Sequence, residues 1–380
     1  MLLFACKESE SESRTVLTPA AVGRLVKLGI SVQVESGIGD SLFIKDEAFT
    51  EAGATVAQDR ASGLAAADVV LNLNPPTVEF VSSLKAGTTL VSFLDPFMKP
   101  ELVRALADAK VDSLCMELIP RTTYAQKMDA LSSQASLAGY AAVVLAADRI
   151  DKALPMMSTP AGTIVPAKVF VVGVGVAGLQ AIATAKRLGA RVSAYDTRPV
   201  VEEQVQSLGA RFVKIDVGES GQTEQGYAKE LTEEQLASQR RQMLNVCAES
   251  DVVITTAQVF GRPAPKIISS DMVAAMRPGS VVVDLAANSG GNVEGTVPGQ
   301  EVLVNGVRIV GLNSFPSLVA RDASQMYASN VYNLLEHAFD SESGQLKLDD
   351  ADDSVIQSAL LTRGGVIRHE GVRKIVEAGA

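Results

Sequence analysis

Short apolar runs alternate with amphipathic stretches along the chain, a pattern typical of strands that each lead into a helix. In the first half the strand-like runs are Leu2–Cys6, Val32–Glu35, Val69–Leu73, Thr89–Phe93 and Ser113–Leu118. In the second half they are Val169–Val172, Val192–Tyr195, Phe212–Ile215, Val252–Thr255, Val281–Leu285 and Ile309–Val310. This succession is typical of parallel sheets covered by helices, so we predict an α/β fold.

The two halves of the chain resemble each other weakly. Ala67–Val70 reads like Ser250–Val253, and Lys85–Val91 reads like Arg277–Val283. We therefore predict two Rossmann-like domains, each with a doubly wound parallel sheet, joined by long helices.

The longest helical patterns, Ser133–Leu154 and Ala323–Phe339, are the expected connections between these domains. The predicted first domain is discontinuous and contains residues 1–132 plus about 325–380. The second, which includes the connecting helix, spans 133–324. Residues 340–380 are acidic and then glycine-rich, and a small hairpin or a loose tail is expected there.

Composition narrows the classes of function. The 34 basic and 44 acidic side chains give a formal charge of −10, which argues against a nucleic-acid-binding protein. The 3 cysteines are widely spaced and form no CxxC pair, so we expect neither a disulfide framework nor a metal site. The longest apolar run, Leu137–Ala147, is about half the roughly 20 residues that cross a bilayer, so direct membrane insertion is not expected.

The clearest motif is Gly173-Val174-Gly175-Val176-Ala177-Gly178, a GxGxxG between an apolar run and the helix-like run Leu179–Leu188. In dinucleotide-binding turns these glycines permit a tight turn, close approach of the backbone to the pyrophosphate, and close helix–strand packing. Asp196 ends the next strand, where a carboxylate binds ribose hydroxyls and repels a 2′-phosphate, which favours NAD over NADP. Arg198 either softens this preference or is an ordinary surface residue.

Histidine is scarce: only His337 and His369 occur, and a structural or surface role is expected for both. Oxidation of an alcohol or an amine normally needs a positioned His, Lys or Tyr to move the proton. Hydride transfer between two nicotinamides moves no proton at the reacting carbon, and needs only aligned rings and excluded water. The shortage of histidine is compatible with such chemistry, although Lys or Tyr could still serve.

Two polar segments have open interpretations. Arg121–Gln134 lies between a strand end and a helix start, where α/β proteins bind ligands. It is either a hydrogen-bonding set for a carboxamide or phosphate, or a polar loop before a Ser-capped helix. Asp216–Lys229 is longer than the roughly 2–6 residues usual in a strand-to-helix turn. This segment is equally well interpreted as a solvent-exposed surface loop or as a lid that contacts a ligand through Tyr227.

Several segments together resemble one known family. They are Met116–Arg121, Ala125-Gln126, Met128-Asp129, Leu131–Gln134, Gly173–Gly189, Asp196–Arg198, Gly226–Glu230, Ile254–Ala257, Gly261–Pro265 and Pro278–Ala286. In combination they resemble the NAD(H)-binding component (domain I, alpha subunit) of proton-translocating NAD(P) transhydrogenase, of the alanine dehydrogenase/transhydrogenase family. The resemblance covers about residues 1–340.

The resemblance implies a two-domain, usually dimeric oxidoreductase subunit that holds NAD(H) in the cleft between its domains and is active only with partners. One partner component binds NADP(H) and another spans the membrane, and hydride passes directly between the nicotinamides with coupled proton movement. The implied location is cytoplasmic, peripheral on the inner membrane through those partners, or the matrix side in mitochondria.

Motif matching also assigns roles to individual residues. Those expected to position the nicotinamide end, or to lie in the same loop, are Arg121, Thr122, Thr123, Gln126, Asp129 and Ser132. Those expected at the pyrophosphate are Gly173, Gly175, Val176, Ala177 and Gly178. Those expected at the adenosine ribose are Asp196, Thr197 and Arg198. Gly226 and Tyr227 are implied to form a mobile loop that closes over the cofactor, and Gln239 and Gln258 to lie near the nucleotide.

Two alternatives have the same fold: an alanine dehydrogenase-like amino-acid dehydrogenase and a non-catalytic NAD-binding protein. Alanine dehydrogenases place a catalytic Lys after the strand Val69–Leu73 and a His after Thr89–Phe93. Here those places read Asn72-Leu73-Asn74-Pro75 and Phe93-Leu94-Asp95-Pro96, which argues against the first alternative.

The sequence also departs from the transhydrogenase pattern at two places. Thr122-Thr123-Tyr124 stands where Ile-Ser-Arg is usual, and Ala257–Gly261 reads Ala-Gln-Val-Phe-Gly instead of Ala-Leu-Ile-Pro-Gly. Both lie beside the expected cofactor site, so they bear on affinity and fine positioning more than on identity.

Overall fold

The computed structural model describes residues 1–215 and 233–378, without the side chains at positions 233, 235, 236 and 239. Its strands are β1 Leu2–Ala5, β2 Ser31–Glu35, β3 Thr55–Ala57, β4 Val69–Leu71, β5 Thr89–Ser92, β6 Asp112–Cys115, β7 Met157–Thr159, β8 Gly162–Ile164, β9 Lys168–Val172, β10 Arg191–Tyr195, β11 Arg211–Phe212, β12 Val252–Thr255, β13 Val281–Asp284, β14 Gln300–Val304, β15 Val307–Gly311, β16 Phe339–Asp340, β17 Gln345–Leu346, β18 Leu360–Arg363 and β19 Val366–Ile367. Its α-helices are α1 Pro19–Lys27, α2 Asp46–Glu51, α3 Arg60–Ala66, α4 Val78–Ser82, α5 Pro100–Asp108, α6 Ala130–Arg149, α7 Val176–Arg187, α8 Glu202–Ser207, α9 Glu233–Glu249, α10 Ser270–Ala275, α11 Ala320–Ala338, α12 Ser354–Ala359 and α13 Glu370–Ala378.

The first compact unit, unit 1, contains Met1–Gln134 and Pro316–Ala380. Its sheet has the strand order β19-β18-β6-β5-β4-β1-β2-β3, in which β1 to β6 run parallel. The chain winds outward from β1 to β3 and then outward again from β4 to β6. This is the doubly wound arrangement, and the α/β fold class is confirmed.

The C-terminal segment of unit 1 is not a loose tail. The chain after residue 340 adds β18 to the sheet antiparallel to β6, with Leu360 opposite Leu114, and then β19 beside it. Leu360, Leu361 and Val372 are buried, so this segment closes the sheet edge with apolar contacts. The expectation of a small hairpin describes β16–β17 and β18–β19 but omits α12 and α13.

Helix boundaries in unit 1 follow local chemistry. The hydroxyl of Thr18 accepts the Ala21 N–H at 3.4 Å, Pro19 occupies the first turn, and Gly29 follows the helix with φ +91°. These are the expected start and stop signals for α1. Its buried face, which includes Val22 and Leu25, lies in the main core of unit 1.

The second compact unit, unit 2, contains Ala135–Phe315. Its strand order is β11-β10-β9-β12-β13-β15-β14, with the first six parallel and β14 antiparallel at the edge. The apolar pattern does not predict β14, because Gln300–Val304 has no buried position. The hairpin β7–β8 is fully exposed and was missed for the same reason.

The core of unit 2 lies on both faces of its sheet. Val169 and Val171 of β9 belong to one apolar cluster, while Phe170 and Val172 belong to another on the opposite face. Full burial of such a side chain stabilises the fold by about 1.5–3 kcal/mol. Small and branched apolar residues make up most of this core, with a few aromatic side chains such as Phe170, and the chain has no tryptophan.

Among the described helices, α6 has the length and mean hydropathy, 1.4, of a membrane span, and 39% of its apolar window is buried within the structure. Core helices of globular proteins can share this composition, so hydropathy does not assign α6 to a membrane.

Candidate functional site

The turn that carries the three motif glycines connects β9 directly to α7. Gly173 has φ +94°, and a Cβ there would lie 2.7 Å from Oγ1 of Thr256. A Cβ on Gly178 would lie 2.0 Å from the carbonyl oxygen of Gly173, so glycine lets α7 begin against the end of β9. A Cβ on Gly175 would meet nothing within 4 Å, so the backbone is open to a ligand at this position.

The start of α7 is suited to a phosphate. Gly175 is its N-cap residue, and no side chain caps the first N–H groups. Val176 is exposed and Ala177 is half-buried. Uncapped amides at a helix N-terminus, with the helix dipole behind them, favour an anion. The turn therefore fits the pyrophosphate of a dinucleotide.

α6 packs directly onto this turn. A Cβ on Gly139 would lie 2.1 Å from the carbonyl oxygen of Ala177, so only glycine allows the approach. Sequence reasoning did not assign Gly139 a role, although its position within an apolar helical run was a signal of close packing.

Asp196 follows β10 and faces the glycine turn. Its carboxylate accepts the N–H of Val174 at 2.7 Å and the N–H of Arg198 at 2.9 Å. The Arg198 guanidinium also donates to it, through Nε at 3.0 Å and Nη2 at 3.1 Å. Burial disfavours the ionised carboxylate, but these hydrogen bonds outweigh it and lower the pKa of Asp196. Asp196 is therefore ionised near neutral pH, and the exposed Thr197 lies beside it.

The loop after β12 is held beside the glycine turn by Asn292. Oγ1 of Thr256 donates to the carbonyl oxygen of Gly173 at 3.0 Å. The Asn292 side chain, fully buried, accepts the N–H of Ala257 at 3.0 Å. It donates to the carbonyl oxygens of Ala257 at 2.8 Å and Pro265 at 2.9 Å. One amide thus fixes both ends of the loop.

Asn292 is itself held by Asp284, a fully buried carboxylate at the end of β13. The groups that donate to Asp284 are the N–H of Ala286, Asn292 and Val293 and the hydroxyls of Thr255 and Thr296. Sequence reasoning missed both residues; the signal was a carboxylate directly after a run of buried valines. Gln258, in the clamped loop, is exposed and donates through Nε2 to the carbonyl oxygen of Leu285 at 3.2 Å.

In unit 1, the loop between β6 and α6 carries exposed side chains that can donate hydrogen bonds to a ligand. Thr122 and Thr123 are exposed, as are Arg121 and Gln126, and within the described residues the latter two side chains have no hydrogen-bond partner. Asp129 is buried and caps α6, accepting the N–H of Ser132 at 2.9 Å and its hydroxyl at 2.6 Å. In the alternative of a polar loop before a Ser-capped helix, the capping residue is therefore wrong: the cap is the carboxylate of Asp129.

This loop is anchored by α11. The Nδ2 atoms of Asn330 and Asn333 both donate to the carbonyl oxygen of Lys127 at 3.0 Å. The hydroxyl of Tyr124 lies 3.2 Å from Nδ1 of His337, whose Nε2 lies 2.7 Å from the carboxylate of Asp353. His337 therefore joins the loop to the C-terminal segment.

The other histidine, His369, is also structural. Its Nδ1 accepts the N–H of Val372 at 3.2 Å, at the start of α13. Its ring packs edge-on against Phe97, with the ring centroids 5.5 Å apart.

The carboxyl ends of β1 and β4, where the winding of the unit 1 sheet reverses, are filled by polar side chains of the chain itself. In doubly wound sheets this crevice is the usual ligand site. Glu12 accepts Nε of Arg14 at 2.9 Å and Nη2 at 2.7 Å, and both side chains are more than nine-tenths buried. Nδ2 of Asn74 donates to both Glu8 at 3.1 Å and Glu12 at 3.0 Å. Nη1 of Arg14 donates to Gln134 at 2.9 Å.

The pKa values of the two carboxyl groups in this crevice, Glu8 and Glu12, shift in opposite directions. Burial disfavours ionisation of Glu12, but hydrogen bonds and charge from Arg14 lower its pKa to about 2. Burial raises the pKa of Glu8. The guanidinium of Arg14 is therefore already neutralised within the protein.

Three residues assigned by motif cannot be placed. Gly226 and Tyr227 lie outside the described residues, and so does the side chain of Gln239 in α9. Their proposed contacts with the cofactor stay predictions.

The strand order and the glycine turn of unit 2 define a Rossmann-type dinucleotide-binding protein. More particularly, the chain belongs to the alanine dehydrogenase/PNT family, whose N-terminal domain matches residues 5–138 and whose C-terminal domain matches residues 142–370. The resemblance drawn from the motifs is confirmed.

Some relatives of this chain are named as transhydrogenases and others as alanine dehydrogenases. The chain is 44% identical over 365 residues to a Rhodospirillum rubrum protein named as the first part of NAD(P) transhydrogenase subunit alpha, covering 94% of this chain and 95% of the relative. The crystal structure of a transhydrogenase from Sinorhizobium meliloti matches with a TM-score of 0.84 and 40% identity, over 98% of this chain and 100% of that one. Identity to an alanine dehydrogenase of Halomonas elongata is 30% over 83% of this chain and 81% of the relative.

Proposed function

We propose that this chain is the NAD(H)-binding component of a proton-translocating NAD(P) transhydrogenase and that it presents NADH for direct hydride transfer to NADP⁺ on a partner component. The observation that carries the proposal is 44% identity, over 94% of the chain, to a protein named as a transhydrogenase alpha subunit. The open turn at Gly175 and the ionised carboxylate of Asp196 support NAD(H) as the cofactor.

Unit 2 holds the adenosine and pyrophosphate part of the cofactor in this proposal. The amides of Gly175, Val176 and Ala177 donate to the pyrophosphate, because no side chain caps the start of α7. Asp196, flanked by Thr197 and Arg198, accepts the ribose hydroxyls and disfavours a 2′-phosphate. Gly173 and Gly178 shape the turn, and Gln258 borders it.

Unit 1 supplies donors for the nicotinamide end. The side chains of Arg121 and Gln126 are exposed and, within the described part of the chain, unengaged, so they are suited to a carboxamide or phosphate oxygen. Asp129 and Ser132 fix the loop and the start of α6. Thr122 and Thr123 lie in the same loop. The motifs also propose Gly226, Tyr227 and Gln239 as residues that contact the cofactor.

The chain's task in the reaction is alignment and exclusion of water. Bound NADH supplies the hydride. No proton moves at the reacting carbon, so no general acid or base is needed there. This fits the two histidines, which are both engaged in structural contacts. Proton movement then belongs to the membrane partner.

We infer a homodimer and two further partners, an NADP(H)-binding component and a transmembrane component. The exposed hairpin β7–β8 supports a protein contact: Met157 and Ile164 are each 43% exposed, and the flanking Met156 and Val165 are 64% and 60% exposed. Exposed apolar groups of this size are typical of interfaces. Through its partners the chain is placed at the cytoplasmic face of the inner membrane, or at the matrix face in mitochondria.

The alternative of an alanine dehydrogenase is disfavoured by the crevice of unit 1. Asn74 and Leu94 occupy the regions where that activity places Lys and His, and Arg14 is neutralised by Glu12. The guanidinium of Arg14, held by Glu12 and Gln134, is therefore not free to bind a substrate carboxylate at this crevice. A non-catalytic NAD-binding protein of the same fold is the remaining alternative.

The test is to mix the purified chain with a transhydrogenase NADP(H)-binding component, NADH and an oxidised NADP analogue. We expect reduction of the analogue that depends on both proteins. Reduction of NAD⁺ by alanine with the chain alone would show an amino-acid dehydrogenase. Tight NADH binding without any transfer would leave only the non-catalytic alternative.

A further inference from the structure

A cavity of about 420 Å³ opens at the amino-terminal ends of the strands of unit 2, opposite to the glycine turn. Its polar lining includes Lys168, Arg191, Ser193, Arg211, Asn245 and Glu249. Lys168 begins β9, and the glycine turn follows the other end of that strand. Five residues of strand separate them by roughly 13 Å, so the cavity is distinct from the dinucleotide turn.

The strand register places three cations of this cavity on one face of the sheet. Arg191 pairs with Lys168 across β10 and β9, and Ser193 pairs with Arg211 across β10 and β11. Paired positions, and positions two residues apart on one strand, point to the same face. Lys168, Arg191 and Arg211 are therefore neighbours on the face that α9 covers.

Such a cluster is electrostatically unfavourable by itself. The backbones of neighbouring strands lie about 4.8 Å apart, so these cationic side chains start close to one another, and like charges repel. Glu249, which is 73% exposed, pairs with Lys168 Nζ at 3.1 Å and interacts with the charge of Arg211 at longer range. Within residues 1–215 and 233–378, no carboxylate lies within 4.0 Å of the guanidinium groups of Arg191 or Arg211.

The nearby carboxylate of Asp251 does not neutralise the charges of Arg191 and Arg211. Asp251 is largely buried and is bound by Nζ of Lys152 at 2.8 Å and by the backbone N–H of Lys168 at 2.8 Å. Among the described residues, the cavity thus keeps two guanidinium groups that have no carboxylate at ion-pair distance, in addition to the Lys168–Glu249 pair. Both arginines are exposed, so their guanidinium groups are accessible to an anion that enters the cavity.

We propose that this cavity is a second anion site, which binds a small phosphate-bearing molecule through Arg191 and Arg211. Guanidinium groups bind phosphate oxygens in a bidentate manner, and two on adjacent strands suit a di-anionic group. The cavity volume exceeds that of a lone phosphate, so the ligand carries a further polar part that meets Asn245 and Ser193.

The test is isothermal titration of the full chain with inorganic pyrophosphate in the presence of saturating NADH, which occupies the dinucleotide turn. We expect saturable binding of one pyrophosphate per chain. Arg191→Gln and Arg211→Gln are each expected to weaken it about tenfold, since a charge-assisted hydrogen bond is worth about that factor in affinity. Arg308→Gln, which removes the same charge elsewhere in unit 2, is expected to leave it unchanged.

Four results would overturn the proposal. The first is the absence of saturable binding. The second is equal affinity in all three variants, which indicates diffuse charge only, and the third is binding that disappears when NADH is present. A fourth is binding of an acidic peptide in place of pyrophosphate, which would mark a protein contact instead. NADH binding is titrated separately in the same variants, so failure of this site and failure of the proposed cofactor site are distinguishable.

Discussion

The carboxylate of Asp284 accepts the backbone N–H of Asn292 at 2.9 Å, and the Asn292 side chain in turn holds Ala257 beside the glycine turn. A Cβ on Gly173 would come within 3.1 Å of the nitrogen of Ala257, so loop and turn are in close contact. The buried end of β13 therefore sets the position of the loop that borders the proposed cofactor site.

Asn292→Ala is expected to weaken NADH binding about tenfold, because the loop loses three hydrogen bonds that hold it beside the turn. Unfolding free energy is expected to fall by about 1–3 kcal/mol, the cost of leaving buried backbone groups unpaired. NADH fluorescence titration and urea unfolding measure the two effects. Gln300→Ala, which removes an exposed amide in the same unit, is the control. An unchanged NADH affinity in a folded Asn292→Ala variant would refute the role in positioning.

Asp196→Ala is expected to weaken NADH binding about tenfold and to reduce discrimination against NADPH, because the carboxylate that opposes a 2′-phosphate is lost. The measurement is a pair of titrations, one with NADH and one with NADPH. Asp148→Ala is the charge-matched control, since that side chain is 68% exposed. If the ratio of the two affinities stays as in the unmodified chain, Asp196 does not select the cofactor.

Glu12→Gln is expected to destabilise unit 1 by about 3–5 kcal/mol, because it leaves the buried Arg14 unpaired. The double variant Glu12→Gln with Arg14→Met removes both charges and is expected to recover much of the loss. Chemical unfolding of the single and double variants measures this. A single variant as stable as the original would show that the pair contributes nothing.

The ion pair between Glu12 and Arg14 also makes the stability of unit 1 depend on pH. Glu12 has a pKa of about 2 in the folded chain, below its ordinary value of 4.5, so its contribution is present above pH 4.5. That contribution is lost as the pH falls from 4.5 toward 2. Urea midpoints over this range are expected to fall less steeply in the double variant. Parallel pH profiles would contradict the linkage.

Met157→Asp, on the exposed hairpin, is expected to shift the chain from dimer to monomer, because a charge would be buried in the proposed interface. Sedimentation velocity measures the shift. Leu303→Asp is the control, since this residue is 69% exposed on the edge strand β14. A dimer that survives Met157→Asp would place the interface elsewhere.

The pattern of apolar positions was sufficient to predict the strands that are buried on both faces of a sheet. Strands such as Val169–Val172 and Val281–Leu285 are nearly continuous apolar runs, and the structure has β9 and β13 there. Exposed elements had no such signal: β7, β8 and β14 were missed because none of their positions is buried. The C-terminal segment was misjudged because its role depends on pairing with β6, far away in sequence.

The candidate site likewise contains residues that the sequence predicts and residues that it does not. The glycine turn and Asp196 were recognisable because local spacing defines them. The clamp formed by Asp284 and Asn292 was not recognisable, because it acts between segments that only the folded sheet brings together. The neutralisation of Arg14 likewise depends on Glu12, Asn74 and Gln134, which lie in separate parts of the sequence.

The central claim, alignment of a hydride donor without proton chemistry at the reacting carbon, is tested most directly by isotope tracing. NADH labelled with deuterium at the transferred position is incubated with the chain, an NADP(H)-binding component and NADP⁺, and the products are analysed by mass spectrometry. We expect the label in the nicotinamide ring of NADPH and none in water. Label in the solvent, or unlabelled NADPH, would contradict direct transfer.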